Sequence, residues 1–248
     1  MAWIEKDRLL AISTPLGADK LLLRSFTGQE GVSQLFKFHL HLRSEDPNVN
    51  FDDIVGRNVT FSIKEYEAGE ERYFNGYVSR FVQTPAEERL ACYEADVVPW
   101  LWFLTRTADC RIFQQMTVPD IIQKVFRDLG FQDFEMHTQG QYATWDYCVQ
   151  YRETAFQFVS RLMEQEGIFY FFRHENGRHM MVIADAPSAF KPCPGPSRIM
   201  FDRHTGAGAK QHEDTISLWR SGQEFRTGRF AHSDYNFETP ATSLLATT

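Results

Sequence analysis

Residues 151–172 read YRETAFQFVSRLMEQEGIFYFF, a glutamate-bearing stretch that runs straight into five apolar or aromatic residues. Its two halves follow different periodicities. Thr154 followed by Gln157 has capping-box spacing, and Gly167 is a natural residue just past a helix end. At 100° per residue, Ala155, Phe158, Val159, Leu162 and Met163 fall within an arc of roughly 140°, which makes one apolar stripe. Beyond Gly167, IFYFF reads as a strand, HENGR (174–178) as a turn containing Asn-Gly, and HMMVIAD (179–185) as the returning strand. The expectation is a capped helix delivered into a β-hairpin.

The glutamates of this stretch do not make an acid–base pair. Glu164 and Glu166 are two residues apart, so on a helix they point roughly 200° away from each other. Glu153 lies before the cap. Glu166 falls inside the apolar arc, where a carboxylate either frays outward with the last turn or is held by a cation such as an arginine, and a structural ion pair is expected in preference to catalysis.

Upstream the chain reads as strands. LFKFHLHLR (35–43) alternates strictly: Phe36, Phe38, Leu40 and Leu42 face one way, Lys37, His39, His41 and Arg43 the other. KLLLRSF (20–26), NVTFSIKEY (58–66), RYFNGYVSRFV (72–82) and ERLACYEADVV (88–98) have similar character. Turn-rich SEDPNVN (44–50) and EAGEE (67–71) separate them. Short strands without an intervening long helix predict a closed or nearly closed antiparallel barrel. TVPDIIQKVFRDLGF (117–131) then supplies a helix. It has a cap at Thr117, Pro119 and Asp120 in the first turn, an apolar stripe, and a stop at Gly130. Downstream, DAPSAFKPCPGPS (185–197) is a Pro/Gly-rich connector, and RIMFD (198–202), DTISLWRS (214–221) and QEFRTGRFAHSDY (223–235) suggest further β-structure.

The composition of the 248 residues narrows the function classes. With 22 phenylalanines and 15% aromatics the chain favours pleated, half-buried surfaces. A formal net charge of -7, with no basic stripe among the aromatics, argues against nucleic acid. Cys92, Cys110, Cys148 and Cys193 are far apart with no CxxC, which suits a reducing compartment. The N-terminal sequence has no signal-peptide character, and no apolar run approaches the roughly 18 residues of a membrane span, so stable membrane insertion is not expected.

Candidate chemistry is sparse. His39 and His41 share a strand face and could be two metal ligands, but nothing nearby supplies a third, so they read as exposed residues of the barrel surface. His174, Glu175 and His179 resemble HExxH only superficially, because the spacing is wrong and the segment is a hairpin. TGAGAK (205–210) lacks P-loop spacing and precedes no helix. Asn58-Val59-Thr60 matches a glycosylation sequon without a secretory context. No catalytic, cofactor-binding or metal-ligating residue is assigned, no cofactor is expected, and the chain is read as a non-enzyme.

YRETAFQFVSRLMEQEGIFYFFRHENGRHMMVIAD (151–185) resembles the VgrG family, the spike-hub proteins of type VI secretion systems. LFKFHLHLRSED, VGRNVTFSI, FNGYVSRF, VVPWLWFLTRTADCRIFQQMTVPDIIQKVF and SDYNFETP resemble further landmarks of that family, in the same order. The resemblance implies a mainly β fold: two β-barrel tube domains, the second incomplete, joined by a helix-plus-hairpin region. The implied domains are a first barrel at 1–105, an α+β insertion at 106–185 and the start of a second barrel at 186–248. It also implies a homotrimeric ring that caps the hexameric Hcp tube and contacts baseplate components. Family members continue into an OB-fold and a β-helical spike, whose tip binds a PAAR cap and carries effectors. This chain is accordingly expected to be an N-terminal portion, assembled in the cytoplasm and secreted through the type VI apparatus without a signal peptide. The alternatives are a baseplate hub of a contractile phage tail or related injection particle, and a hydrolase using Glu166 with Asp185 or His174.

Overall fold

A computed structural model describes residues 4, 8–64, 71–87, 89–192, 198–201, 215–216 and 218–247. They fall into two compact units, 1–192 and 193–248.

The first unit opens with β1 (Leu10–Ser13), β2 (Leu22–Gln29), β3 (Lys37–Ser44), β4 (Asn58–Lys64), β5 (Glu71–Glu87) and β6 (Leu90–Val98). Their order across the sheet is β1-β4-β5-β6-β3-β2, and every pairing is antiparallel. The sheet curls until its edges, β1 and β2, approach each other. Arg8 donates from Nη2 to the Leu23 carbonyl at 3.0 Å. Register shifts at Leu23/Ser25, Val78/Arg80 and Thr84/Glu87 mark bulges, which bend and twist a sheet locally and so promote curling. This is the nearly closed barrel that the alternation predicts.

Phe36, Phe38, Leu40 and Leu42 are each no more than 2% exposed. They meet Leu23, Val59, Phe61, Phe74, Phe81 and Tyr93 in the barrel core. Phe61 and Phe74, opposite each other on β4 and β5, stack at 5.1 Å, and Phe38 meets Phe61 edge-on at 5.3 Å. Much of the phenylalanine surplus is spent here, on side chains whose burial stabilises by about 1.5–3 kcal/mol each.

A 3-10 segment, Trp100–Arg106, leads out of the barrel. After it come β7 (Ala108–Phe113), α1 (Val118–Asp128), β8 (Phe134–His137), β9 (Cys148–Thr154), α2 (Ala155–Gln165), β10 (Phe169–Glu175) and β11 (Arg178–Ala184). Both helices carry the predicted caps: Thr117 accepts from the Asp120 N–H, and Thr154 and Gln157 form the reciprocal box. Gly130 and Gly167 follow the last turns with φ of 86° and 68°, where a side chain would be strained. Two pairings were not foreseen: β8 runs parallel to β11, and β7 pairs antiparallel with β9. A second core forms around Trp100, Leu104, Phe126, Phe158, Leu162, Met181 and Ile183.

In the second unit, Met200–Phe201 pairs parallel with Thr215–Ile216, and Ala231–His232 pairs antiparallel with Ala246–Thr247. The strand expected over 223–235 is realised only at Ala231–His232. Trp219, Phe225 and Phe237 are exposed, so the apolar face that would favour a longer strand meets no core among the described residues. TGAGAK (205–210) and Cys193 lie outside the described residues. No helix among them is long and apolar enough to cross a membrane.

Candidate functional site

The hairpin is pinned to the barrel through a buried polar joint. Phe172 of β10 packs against both cores. The Phe36 ring meets Phe172 at 5.0 Å, His174 at 4.8 Å and His179 at 5.3 Å. Beside it, a Cβ on Gly76 would lie 2.6 Å from Val97 Cγ1 and 2.8 Å from the Val98 carbonyl oxygen. Glycine at 76 lets β5 and β6 close over the ring.

Asn75 is fully buried and organises the joint. Its Nδ2 lies 2.7 Å from Asn58 Oδ1, 2.8 Å from Thr60 Oγ1 and 3.1 Å from the Val59 carbonyl. Its Oδ1 accepts from Asn58 Nδ2 at 3.1 Å and sits 2.8 Å from His179 Nδ1. His179 Nε2 accepts the Trp100 backbone N–H at 2.9 Å. Nδ1 therefore carries the proton and donates to Asn75, so the neutral ring is satisfied at both nitrogens. Burial, aided by neighbouring His174, lowers the His179 pKa to about 3, which keeps that neutral form. His174 Nε2 lies 2.8 Å from Glu30 Oε1, and its Nδ1 is 3.1 Å from the Asn75 backbone nitrogen. Gly177, in the hairpin turn with φ 86°, donates its N–H to Thr60 Oγ1 at 3.1 Å. The sequon residues Asn58 and Thr60 are thus occupied within the joint.

The two partners considered for a Glu166 hydrolase, His174 and Asp185, lie at opposite ends of the hairpin and do not share a site. His174 pairs with His179 near the hairpin turn, whereas Asp185 follows Ala184 at the open end. Six strand positions separate the two levels, about 20 Å. Asp185 is spent on structure. It accepts the N–H groups of Gln139 and Gly140 at 2.9 and 2.7 Å and the Tyr142 hydroxyl at 2.8 Å. Burial pushes its carboxyl up, but these donors outweigh it and hold it below the usual range.

Glu166 corrects an expectation. It is half-buried, but it makes no ion pair among the described residues. As the C-cap residue, with φ −93° and ψ 2°, it leaves the helical path that the angular argument assumed. The ion pair of this region is Arg161 with Glu153, the residue before the cap. Arg161 donates to both Glu153 oxygens at 2.8–3.1 Å and to the Val149 carbonyl at 2.7 Å, tying α2 to β9. Glu164 is exposed.

The barrel's outer face corrects a second expectation. His39 and His41 stand directly across from Asp96 and Glu94 of β6, so the neighbouring strand supplies the carboxylate that the local sequence could not. His39 Nε2 and His41 Nδ1 each lie 3.8 Å from a Glu94 oxygen. His39 Nδ1 is 2.8 Å from Asp96 Oδ1. Burial raises the Asp96 pKa, but His39 and Lys37 lower it further, leaving the group below its ordinary value.

A curled barrel pinned through a satisfied polar joint to a helix-and-hairpin insertion defines a module of the phage-tail-hub class. The chain belongs to the phage tail baseplate hub (GPD) family, whose model matches residues 29–248. It is 43% identical over 241 residues to the type VI secretion system spike protein VgrG1a of Pseudomonas aeruginosa, covering 97% of this chain and 37% of that protein. VgrG1c of the same organism is 42% identical, over 98% of this chain and 33% of its own length. The actin cross-linking toxin VgrG1 of Vibrio cholerae is 28% identical, over 92% and 21%. The chain thus spans about a third of the first two relatives. Among solved structures, the E. coli c3393 protein, a type VI secretion component similar to T4 tail proteins gp27 and gp5, superposes with TM-score 0.66. That match is 22% identical and covers 73% of this chain and 51% of the other. A Neisseria meningitidis MC58 tail protein matches at TM-score 0.52 and 12% identity, over 79% and 60%. These two likenesses establish the fold.

Proposed function

We propose that this chain is the N-terminal hub portion of a type VI secretion spike. In the full-length protein three copies form a ring whose six barrels cap the Hcp tube, and the ring carries the puncturing tip, its PAAR cap and effectors into target cells. Residues 1–105 form the first barrel, 106–185 the insertion, and 186–248 the start of the second barrel. The role is mechanical: His174, His179 and Asp185, which could have served catalysis, are committed to hydrogen bonds that hold the fold. The protein assembles in the cytoplasm, meets baseplate components there, and leaves through the apparatus. The observation that carries this reading is 43% identity to a type VI spike protein across 97% of the chain.

The test is to mix the full-length protein with Hcp and look for three-fold rings capping tubes by electron microscopy, with co-elution on size exclusion. A folded full-length trimer that never associates with Hcp rejects the reading. The family description and the Neisseria tail protein support a second reading, the baseplate hub of a contractile phage tail. Capping of a phage-type tube protein in place of Hcp selects it.

A further inference from the structure

We propose that the outer face of the barrel holds one divalent cation of the zinc class, ligated by His39 Nε2, His41 Nδ1 and the Glu94 carboxylate. The ligand atoms already converge: one from each residue, all within 4.8 Å of one another. Around a tetrahedral zinc with bonds of about 2.1 Å, ligand atoms stand about 3.4 Å apart. The two histidine-to-Glu94 distances are 3.8 Å each, one to each carboxylate oxygen, so each of these pairs needs to contract by only a few tenths of an ångström, and side-chain rotation closes the wider separations.

The scaffold under these groups is rigid. His39 and His41 are alternate residues of β3, whose intervening Leu40 is fully buried, and Glu94 sits on β6 in direct register with His41. Ligands on a packed sheet hold their geometry better than ligands on loops. The His39 and His41 rings are 4.9 Å apart and nearly perpendicular, close enough for one ion to reach both. On the other side, β2 places Ser25 and Thr27 opposite His41 and His39, short side chains that leave the face open to solvent and to a fourth ligand.

Asp96 is the positioning residue. Its Oδ1 lies 2.8 Å from His39 Nδ1 and accepts that nitrogen's hydrogen bond, which leaves the Nε2 lone pair on the Glu94 side. A carboxylate behind a metal-binding imidazole fixes its tautomer and raises its basicity, and losing it typically costs 10–100-fold in affinity. Two imidazoles and a carboxylate select zinc, cobalt or nickel over magnesium and calcium, which prefer oxygen-only shells.

The experiment uses the whole chain, stripped with a chelator. Titration with ZnCl2 is expected to show one saturable site of micromolar affinity, matched by visible Co(II) bands, with no response to MgCl2 or CaCl2. At about 100 times Kd the Tm is expected to rise about 5–10 °C. The double variant H39Q/H41Q abolishes the site, and E94Q weakens it at least tenfold. Asp96→Asn weakens binding about tenfold and shifts the Co(II) bands, whereas Lys37→Met, which removes only the Lys37–Asp96 ion pair, leaves the bands in place. If the double variant fails to fold, nitrogen-15 shifts of the His39 and His41 rings on zinc addition to the unaltered chain decide instead. Absence of saturable zinc binding, unchanged binding by the folded double variant, or unmoved ring shifts overturns the proposal.

Discussion

The His179 ring accepts the Trp100 backbone N–H at 2.9 Å, a bond that joins the insertion's hairpin to the first residue of the segment leaving the barrel. It exists only while the ring is neutral. Burial lowers the folded pKa to about 3 from an unfolded value of 6.5. Between those values the unfolded chain binds more protons than the folded one, so this contribution is complete above pH 6.5 and shrinks as pH falls. The native protein is expected to lose up to about 1.4 kcal/mol per pH unit from this group below pH 6.5. Urea unfolding at pH 7, 6 and 5 checks this against His179→Gln, and equal slopes in both proteins would falsify the assignment.

Asn75 serves the same joint from the barrel side. Asn75→Ala strands the His179 Nδ1 proton and removes donors to Asn58, Thr60 and the Val59 carbonyl. Buried polar groups left without partners cost about 1–3 kcal/mol, so a loss of about 3 kcal/mol is expected for the set. Guanidinium unfolding measures it, and a loss under about 1 kcal/mol would mean that water replaces the amide without strain.

Gly76 makes a steric prediction. Gly76→Ala places a methyl 2.8 Å from the Val98 carbonyl oxygen and 2.6 Å from Val97 Cγ1. The first of these is backbone, so β5 and β6 must part. A loss of at least about 2 kcal/mol is expected. Gly222→Ala, with nothing within 4 Å, serves as the neutral control within about 0.5 kcal/mol. A thermal melt in which both variants behave alike contradicts the packing described for Phe36.

These contacts show which parts of the molecule are legible in one dimension. The Phe36–Leu42 alternation, the Thr117 and Thr154 caps and the Asn176-Gly177 turn are local patterns, and each appears where its spacing predicts. The parallel pairing of β8 with β11 is set by tertiary packing and leaves no local signal. The same is true of His39 and His41: their third candidate partner is Glu94, more than fifty positions away, and only sheet register brings it near. Glu166 was misplaced for the opposite reason, because a helical angle was applied one residue beyond the helix. The Asn75 network was missed as well, although a lone Asn inside an aromatic strand such as RYFNGYV is the kind of polar interruption that marks a buried joint.

Arg161 holds the middle of α2 to β9, and its fork geometry is the point of the contact. Its Nε and Nη2 reach Glu153 while Nη2 also reaches the Val149 carbonyl. The side chain is 44% exposed, so solvent screens the pair and the expected cost of Arg161→Ala is only about 1–1.5 kcal/mol. Arg161→Lys keeps the charge but cannot reproduce the fork, and is expected to lose about half as much. Equal stability of the Lys variant and the native chain, by urea midpoint, argues that charge alone matters there.

Glu166→Gln separates a scaffold from a hydrolase in one measurement. Glu166 has no ion pair among the described residues and caps α2 through its backbone, whose N–H reaches the Leu162 carbonyl at 3.2 Å. The substitution preserves that backbone bond and removes only a charge, so stability is expected to change by less than about 0.5 kcal/mol. Its one notable neighbour is Tyr142, whose hydroxyl is pushed well above its ordinary pKa by burial, by Asp185 and by the Glu166 charge. Unaltered stability by urea midpoint, with no hydrolytic activity in either protein, supports the structural role. Measurable ester or glycoside hydrolysis by the native chain that disappears in the variant would restore Glu166 as a catalytic residue.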